Sequence, residues 1–111
     1  AETELANLLS IDINDRQYII PNDESYYVYD IRKDNKLIEY NGDFWHCNPK
    51  MYASDYYNGR LQMYAHEKWA WDQKKIEFAK RYGYDLLIIW EKDFKEDKER
   101  VFSECVKFLN E

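Results

Sequence analysis

The chain has 111 residues, of which 45% are hydrophobic and 18% are aromatic, enough apolar surface for one packed core. This composition excludes a wholly disordered chain, and no apolar run approaches the roughly 18 residues of a membrane span. Asp and Glu outnumber Lys and Arg by 22 to 16, so at a net charge of −6 no basic surface dominates the chain. Any contact with nucleic acid must then come from local basic patches, a bound cation or another part of the protein. We expect one domain over residues 1–111, and because the chain opens at Ala1 rather than Met, we expect it to belong to a longer protein.

The first half of the chain predicts a helix followed by three strands. Residues 2–11 carry leucine and isoleucine at helical spacing, and residues 16–21 are typical of a short strand that ends in a Pro-Asn-Asp turn. Residues 26–31 and 37–41 predict the two strands of a hairpin around the polar residues 32–36.

The second half predicts a loop, a helix, a strand and a final helix. Residues 42–60 form a long irregular stretch, and a loop of this length is usually functional or mobile. Residues 61–82 predict a helix that stops at Gly83, and residues 84–90 predict a strand covered on both faces. Residues 96–110 predict an amphipathic helix. The order α-β-β-β-α-β-α indicates an α/β domain with a small mixed β-sheet flanked by helices.

The two cysteines, Cys47 and Cys105, do not form a C-x-x-C pair. Two cysteines are too few for a four-cysteine zinc site or a disulfide scaffold. The pattern favours reduced thiols, as in a cytoplasmic protein, and leaves a single disulfide open.

Two carboxylates interrupt the apolar pattern of the predicted hairpin. By strict alternation, Asp30 shares a strand face with Val28, and Glu39 shares one with Leu37 and Asn41. Hairpin pairing can bring the two carboxylates together, and because like charges repel, such a pair requires a shared proton or a hard cation such as Mg²⁺. The alternative for each residue is a strand-end charge or a salt-bridged core group.

A third carboxylate and a histidine add to this pattern. Asp72 falls on the inward stripe of the long helix with Trp69 and Ile76, and Lys75 on nearly the same face is a candidate partner for it. His46 belongs to the segment GDFWHCNP, one short loop after the predicted return strand. A histidine near a carboxylate pair can activate water or a leaving group near neutral pH.

Three segments within residues 26–92, YVYD, IEYNGDFWHCNPKMY and WAWDQKKIEFAKRYGYDLLIIWE, resemble the very-short-patch-repair-like branch of the PD-(D/E)xK nuclease superfamily. Within that branch the chain is most similar to phage and bacterial homing-endonuclease domains of the EDxHD type. The resemblance implies a restriction-endonuclease-like core and hydrolysis of double-stranded DNA with Mg²⁺ or Mn²⁺. It places the protein in the cytoplasm, of the host cell if phage-encoded, and leaves the oligomeric state open, with a homodimer among the alternatives.

The resemblance also implies site roles. Asp30 and Glu39 would hold the metal, and His46 would assist acid–base chemistry. Asp72 would be the helix acid of the EDxHD motif, and Glu2 on the first helix would be its leading glutamate. Each of these roles is an expectation about this chain.

The chain departs from the superfamily pattern at two positions. Tyr29, rather than Pro, precedes the first acid, and Asn41 occupies the superfamily's lysine position, so water activation would fall to Lys75 or His46. These departures leave open a catalytically inactive nuclease-fold module that binds DNA or assembles with partners. The net charge leaves open an interaction domain with no nucleic-acid role.

The loop over residues 43–60 is rich in aromatic and amide side chains that could insert into a DNA groove or stack on distorted bases. The alternative is that its aromatics cover the core, which we favour for Trp45 over Tyr56 and Tyr57. Trp69, Trp71 and Trp90 are predicted to pack in the core. The residues predicted to contact DNA are Asn41, Trp45, Asn48, Lys50, Tyr56, Tyr57 and Arg60.

Overall fold

The computed structural model describes residues 2–21 and 25–111, in which a four-stranded sheet carries helices on both faces. The Pro-Asn-Asp turn predicted after the first strand lies mostly outside the described residues. None of the helices in the described part of the chain is both long enough and apolar enough to cross a bilayer. In chain order the elements are α1 (Glu2–Leu8), a 3-10 turn (Ile13–Asp15), β1 (Arg16–Pro21), β2 (Tyr26–Lys33), β3 (Lys36–Asn41), β4 (Tyr57–Asn58), β5 (Met63–Tyr64), α2 (Ala65–Arg81), β6 (Asp85–Trp90), α3 (Glu91–Glu96) and α4 (Lys98–Leu109).

The main sheet has the strand order β1-β2-β3-β6. β1 and β3 run antiparallel to β2, as the predicted hairpin requires, whereas β6 runs parallel to β3 and returns to it after α2. The predicted mixed α/β sheet is therefore confirmed. The structure adds a small β4–β5 hairpin within the region following β3, which the sequence pattern did not predict.

Two apolar cores lie on opposite faces of the sheet. The first, which we call the terminal-helix core, packs α1, α3 and α4 against residues such as Ile31, Ile38 and Ile89. The second, the α2 core, packs Phe78 and Ala79 of α2 against Tyr29, Leu37 and their neighbours. β6 lies at the edge of the sheet, so most of its side chains are only half-buried rather than fully covered.

The helix boundaries differ from the predicted ones for local reasons. α2 begins only at Ala65, because the residues before it form β5, and it ends before Gly83, whose φ of 87° suits the predicted glycine stop. The final predicted helix, residues 96–110, is confirmed as α4, which begins at Lys98 because the Asp97 side chain accepts a hydrogen bond from the Arg100 amide and caps it. The structure adds the short helix α3 before it, which the sequence pattern did not predict. Trp71, predicted to pack in the core, is 63% exposed on the outer side of α2.

Both cysteines are buried and free, which agrees with the prediction of reduced thiols. Burial raises the pKa of the Cys105 thiol to about 11, so this side chain behaves as a small apolar core residue.

Candidate active site

The candidate site begins at the row of the sheet where the strands stop pairing regularly. The β2–β3 register, extended by one row beyond Ile31 and Ile38, sets Asp30 opposite Glu39. The β1–β2 register sets Gln17 opposite Asp30, and Gln17 has a left-handed φ of 51°. Gln17, Asp30 and Glu39 are absent from the regular pairing of β1 with β2 and of β2 with β3. The backbone amides and carbonyls at this point of the sheet therefore require other hydrogen-bond partners.

The side chains of the two acids supply those partners. The Asp30 amide donates a hydrogen bond of 2.8 Å to Glu39 Oε1, and the Tyr40 amide donates one of 2.8 Å to Asp30 Oδ2. Each strand therefore holds the carboxylate of its neighbour where a ladder bond would otherwise lie. The predicted approach of Asp30 and Glu39 across the hairpin is confirmed.

The strict alternation predicted through Asp30 is wrong. Tyr29 packs into the α2 core, whereas Ile31, of the same parity, packs into the terminal-helix core on the opposite face. A strand can reverse its side-chain alternation where its regular pairing is interrupted, as it is here. In β3 the alternation is regular: Leu37 joins the α2 core, and Glu39 lines a cavity on the same face.

Glu39 is the most buried acid of the site, at 6% exposure. Burial, reinforced by the nearby charge of Asp30, raises its pKa to about 7, although Lys75 opposes the shift. The Lys75 ammonium lies 2.6 Å from Glu39 Oε2. The carboxylate therefore titrates near neutral pH and responds strongly to any additional positive charge.

Lys75 reaches Glu39 because Tyr29 holds it from two directions. The Tyr29 hydroxyl donates a hydrogen bond of 2.7 Å to the Lys75 backbone carbonyl, and the Lys75 ammonium lies 4.8 Å from the centre of the Tyr29 ring. The suggested pairing of Lys75 with Asp72 is wrong: Lys75 pairs with the sheet, and Asp72 pairs elsewhere.

The structure places Glu2, not Glu4, beside the carboxylate pair. The Gln17 amide donates hydrogen bonds to Glu2 and to Asp30, the latter at 3.4 Å. Burial, followed by the charge of Asp30, raises the pKa of Glu2. Glu4 instead pairs with Lys98 at 2.6 Å.

Asp72 lies between His46 and Lys68. Its carboxylate is 2.8 Å from His46 Nδ1 and 2.7 Å from Lys68 Nζ. Burial opposes ionisation of Asp72, but the hydrogen bonds from His46 and Lys68 outweigh it and lower the pKa of the carboxyl. An ionised carboxylate only accepts hydrogen bonds, so His46 carries its proton on Nδ1 and keeps Nε2 for other partners.

The segment after β3 holds His46 through fixed backbone contacts. The His46 amide donates to the Gly42 carbonyl at 3.1 Å, and the Trp69 indole donates to the Cys47 carbonyl at 2.7 Å. The Asp43 carboxylate accepts from the Lys92 amide at 3.2 Å, which ties this segment to the start of α3. These contacts connect the segment that carries His46 to α2 and to the start of α3.

One small cavity connects the two groups of polar side chains. Its volume is about 20 Å³, which gives room for a water molecule. Ile76, Leu86 and Ile88 form its apolar wall. Its polar wall consists of Glu39, Asn41, His46, Asp72 and Lys75. The polar wall therefore brings candidate catalytic groups together around a space the size of one solvent molecule.

The described residues contain no group of three or more His, Cys, Asp or Glu side chains arranged to bind a metal. Asp30 and Glu39 are two carboxylates that each accept a hydrogen bond from the other's strand. Mg²⁺ is commonly bound through one or two carboxylates and water, so this donor set is chemically suitable for it.

The residues predicted to contact DNA have different environments. Asn48 is 1% exposed, and its amide donates to Asp43 at 2.9 Å, so its prediction as a DNA contact is wrong. Trp45, for which we favoured a core position, is 52% exposed. Tyr57 is 49% exposed, and Tyr56 is half-buried against another tyrosine.

Three further predicted contacts are charged or amide side chains. Lys50 and Arg60 lie at the surface, with the Lys50 ammonium 3.7 Å from the Asp93 carboxylate. Asn41 is only 7% exposed and lines the cavity. The surface candidates therefore remain accessible, whereas Asn41 belongs to the site itself.

Sequence reasoning missed Gln17 and Lys68. Lys68 lies four residues before Asp72 on the same helix, a spacing that itself favours an ion pair. Gln17 gave only a weak signal, a polar residue inside a short strand, because its importance depends on the strand register.

Comparison with known proteins places no restriction on these assignments. No family model matches the chain, and no match to curated proteins or to solved structures reaches significance.

Proposed function

We propose that this domain is a metal-dependent DNA endonuclease that hydrolyses phosphodiester bonds. The observation that carries the proposal is the cavity between the Glu39–Lys75 pair and the His46–Asp72 pair. A buried carboxylate beside a lysine and a histidine held by a carboxylate are groups suited to general acid–base hydrolysis. Its resemblance to EDxHD-type nucleases supports the same reaction class.

Asp30 and Glu39 would hold Mg²⁺ or Mn²⁺ in this proposal. When bound, the cation supplies positive charge that stabilises the attacked phosphate. Within the part of the chain that the structure describes, the carboxylates of Glu2, Asp30 and Glu39 lie in this part of the site, and the Lys75 ammonium pairs with Glu39. That excess of negative charge favours a divalent cation and disfavours an anionic phosphate without one.

In this proposal His46 and Lys75 have different roles. His46 exchanges a proton through Nε2, because Asp72 engages Nδ1 and fixes the ring orientation. Lys75 contributes the ammonium that the superfamily places on the strand, and Tyr29 holds it over Glu39. Lys68 keeps Asp72 ionised, so the carboxylate accepts the Nδ1 hydrogen bond of His46 and orients the imidazole with Nε2 facing away from Asp72.

The test is nicking of supercoiled plasmid by the purified chain with Mg²⁺ or Mn²⁺ and with EDTA. We expect metal-dependent nicking that falls on the order of 100-fold or more in Glu39→Gln, since the substitution removes a proposed metal ligand. The matched control is Glu104→Gln, which removes an exposed carboxylate paired with Arg100 on α4. Nicking that persists in EDTA, or that Glu39→Gln leaves intact, contradicts the proposal.

A second candidate function is a catalytically inactive nuclease-fold module that binds DNA or assembles with partners. The observation that favours it is that both oxygens of Glu39 are engaged by protein donors, the Asp30 amide and the Lys75 ammonium. A folded chain that binds DNA but nicks with neither metal would establish this alternative.

A further inference from the structure

A groove beside the candidate site has a composition that matches one class of ligand. It lies past the carboxyl ends of β3 and β6, where Asn41 pairs in register with Trp90, and it extends along α2. Ligands of open α/β sheets commonly bind outside the carboxyl ends of the strands. The groove has a volume of about 210 Å³.

The walls of the groove are mostly apolar, and its polar groups are two neutral amides and the Asp72 carboxylate, which disfavours an anion. Pro49, Trp69, Ile88 and Trp90 provide the apolar surface, and Asn41 with Gln73 provides the amides. The Trp69 ring is held in place by its 2.7 Å hydrogen bond to the Cys47 carbonyl. A planar ring with polar edges, rather than a phosphate, is the chemical class that such a surface accommodates.

The groove is continuous with the cavity of the candidate site. Asn41, Asp72, Ile76 and Ile88 line both spaces. A ligand in the groove therefore lies beside the His46–Asp72 pair. A cavity of about 150 Å³ is large enough to hold a benzene ring, so the groove has room for one nucleobase.

We propose that this groove binds a single unstacked nucleobase next to the phosphate that is cleaved. The inference rests on the proposed nuclease function, and it assigns a base-binding subsite to Trp69, Trp90, Asn41 and Gln73. The apolar walls cover the faces of the base, and the amides meet its polar edge.

The test compares two fluorescein-labelled single-stranded probes in Ca²⁺ at low salt by fluorescence anisotropy. One is an oligothymidylate, and the other has the same backbone with tetrahydrofuran abasic units. Because both carry the same phosphates, their non-specific electrostatic attraction is matched. We expect the wild type to bind the base-containing probe about 5- to 100-fold more tightly.

Two variants locate the preference in the groove. Gln73→Trp fills the groove from an exposed helix position, and Trp90→Ala removes part of its wall. We expect each to reduce the preference to about twofold or less. Trp71→Ala, which removes an exposed tryptophan on the same helix outside the groove, should leave it unchanged.

The outcomes separate this inference from the proposed function. Plasmid nicking by a wild type that binds both probes equally would overturn the subsite alone. A preference that survives in folded Gln73→Trp would do the same, by placing the base elsewhere. A folded wild type that neither nicks plasmid nor binds either probe would overturn the proposed function and the subsite together.

Discussion

The two faces of the sheet are built by the same strands but have different chemistry. Among the described residues, the terminal-helix core is built from buried apolar side chains, among them Leu5, Phe94 and Val101, together with free Cys105, and Tyr40 packs against it. Under α2, the apolar core around Phe78 occupies only part of the face, and Glu39, Asn41 and Lys75 occupy the rest. Apart from Glu2, which lies on α1, the candidate catalytic groups therefore come from the sheet, the segment after β3 and α2, and substitutions on the two faces should have different consequences.

The largest effect we expect is on the polar face. In the proposed nuclease, His46→Ala should lower the nicking rate about 10²- to 10⁴-fold, since it removes the proton-transfer group. The side chain is only half-buried, so the midpoint of urea unfolding should change little. His66→Ala, an exposed histidine at the start of α2, is the matched control. Loss of folding rather than activity in His46→Ala would contradict the separation of the two faces.

On the apolar face, Phe94→Ala should reduce the free energy of unfolding by about 3–5 kcal/mol, because Phe94 is 1% exposed and its removal leaves a cavity. Urea denaturation measures this change. Phe102→Ala on α4, where the ring is 36% exposed, should cost much less. Equal losses for the two variants would mean that the terminal-helix core is not the main source of stability.

The pH dependence of stability should identify the polar face. The folded-state pKa of Glu39 is about 7, against 4.5 ordinarily, so between these values the folded chain retains a proton that the unfolded chain has released. Wild-type stability therefore falls as pH rises through this interval. Glu39→Gln cannot release this proton. Its free energy of unfolding, expressed relative to that of the wild type, should therefore rise by on the order of 1–3 kcal/mol when the pH is raised from about 5 to about 8.

Urea unfolding at both pH values measures this gain. Glu104→Gln, whose carboxylate is exposed on α4, should follow the wild-type profile. If wild type and Glu39→Gln show parallel profiles, Glu39 is already ionised in the folded protein well below neutral pH.

The smallest effect concerns the link between sheet and helix. Tyr29→Phe keeps the ring beside Lys75 but removes the hydroxyl that donates to its carbonyl, so the free energy of unfolding should fall by about 0.5–1.5 kcal/mol. In the proposed nuclease the nicking rate should fall a few-fold as Lys75 loses its anchor. Tyr27→Phe, which keeps the ring contact with Phe78, is the control and should be nearly neutral. Equal effects from both variants would assign Tyr29 a packing role only.

The sequence by itself determined the elements and the unusual residues within them. Alternation predicted the hairpin strands, Gly83 predicted the end of α2, and the pattern placed Glu39 on the same strand face as Leu37. Such properties depend on neighbours within a few residues, where helix and strand periods act directly. Asp30, Glu39, His46 and Asp72 were therefore identifiable as candidates before any contact was known.

Only the tertiary structure decided which of these side chains meet. Lys75 lies three residues after Asp72 yet pairs with Glu39, 36 positions away, because Tyr29 and the packing of α2 on the sheet direct it there. Asn48 is buried, and its amide donates a hydrogen bond to Asp43, a contact that no sequence periodicity predicts. Local patterns specify the face that a residue occupies, whereas its partner depends on strand register and on how helix and sheet pack, and neither of these is encoded within a few residues of the chain.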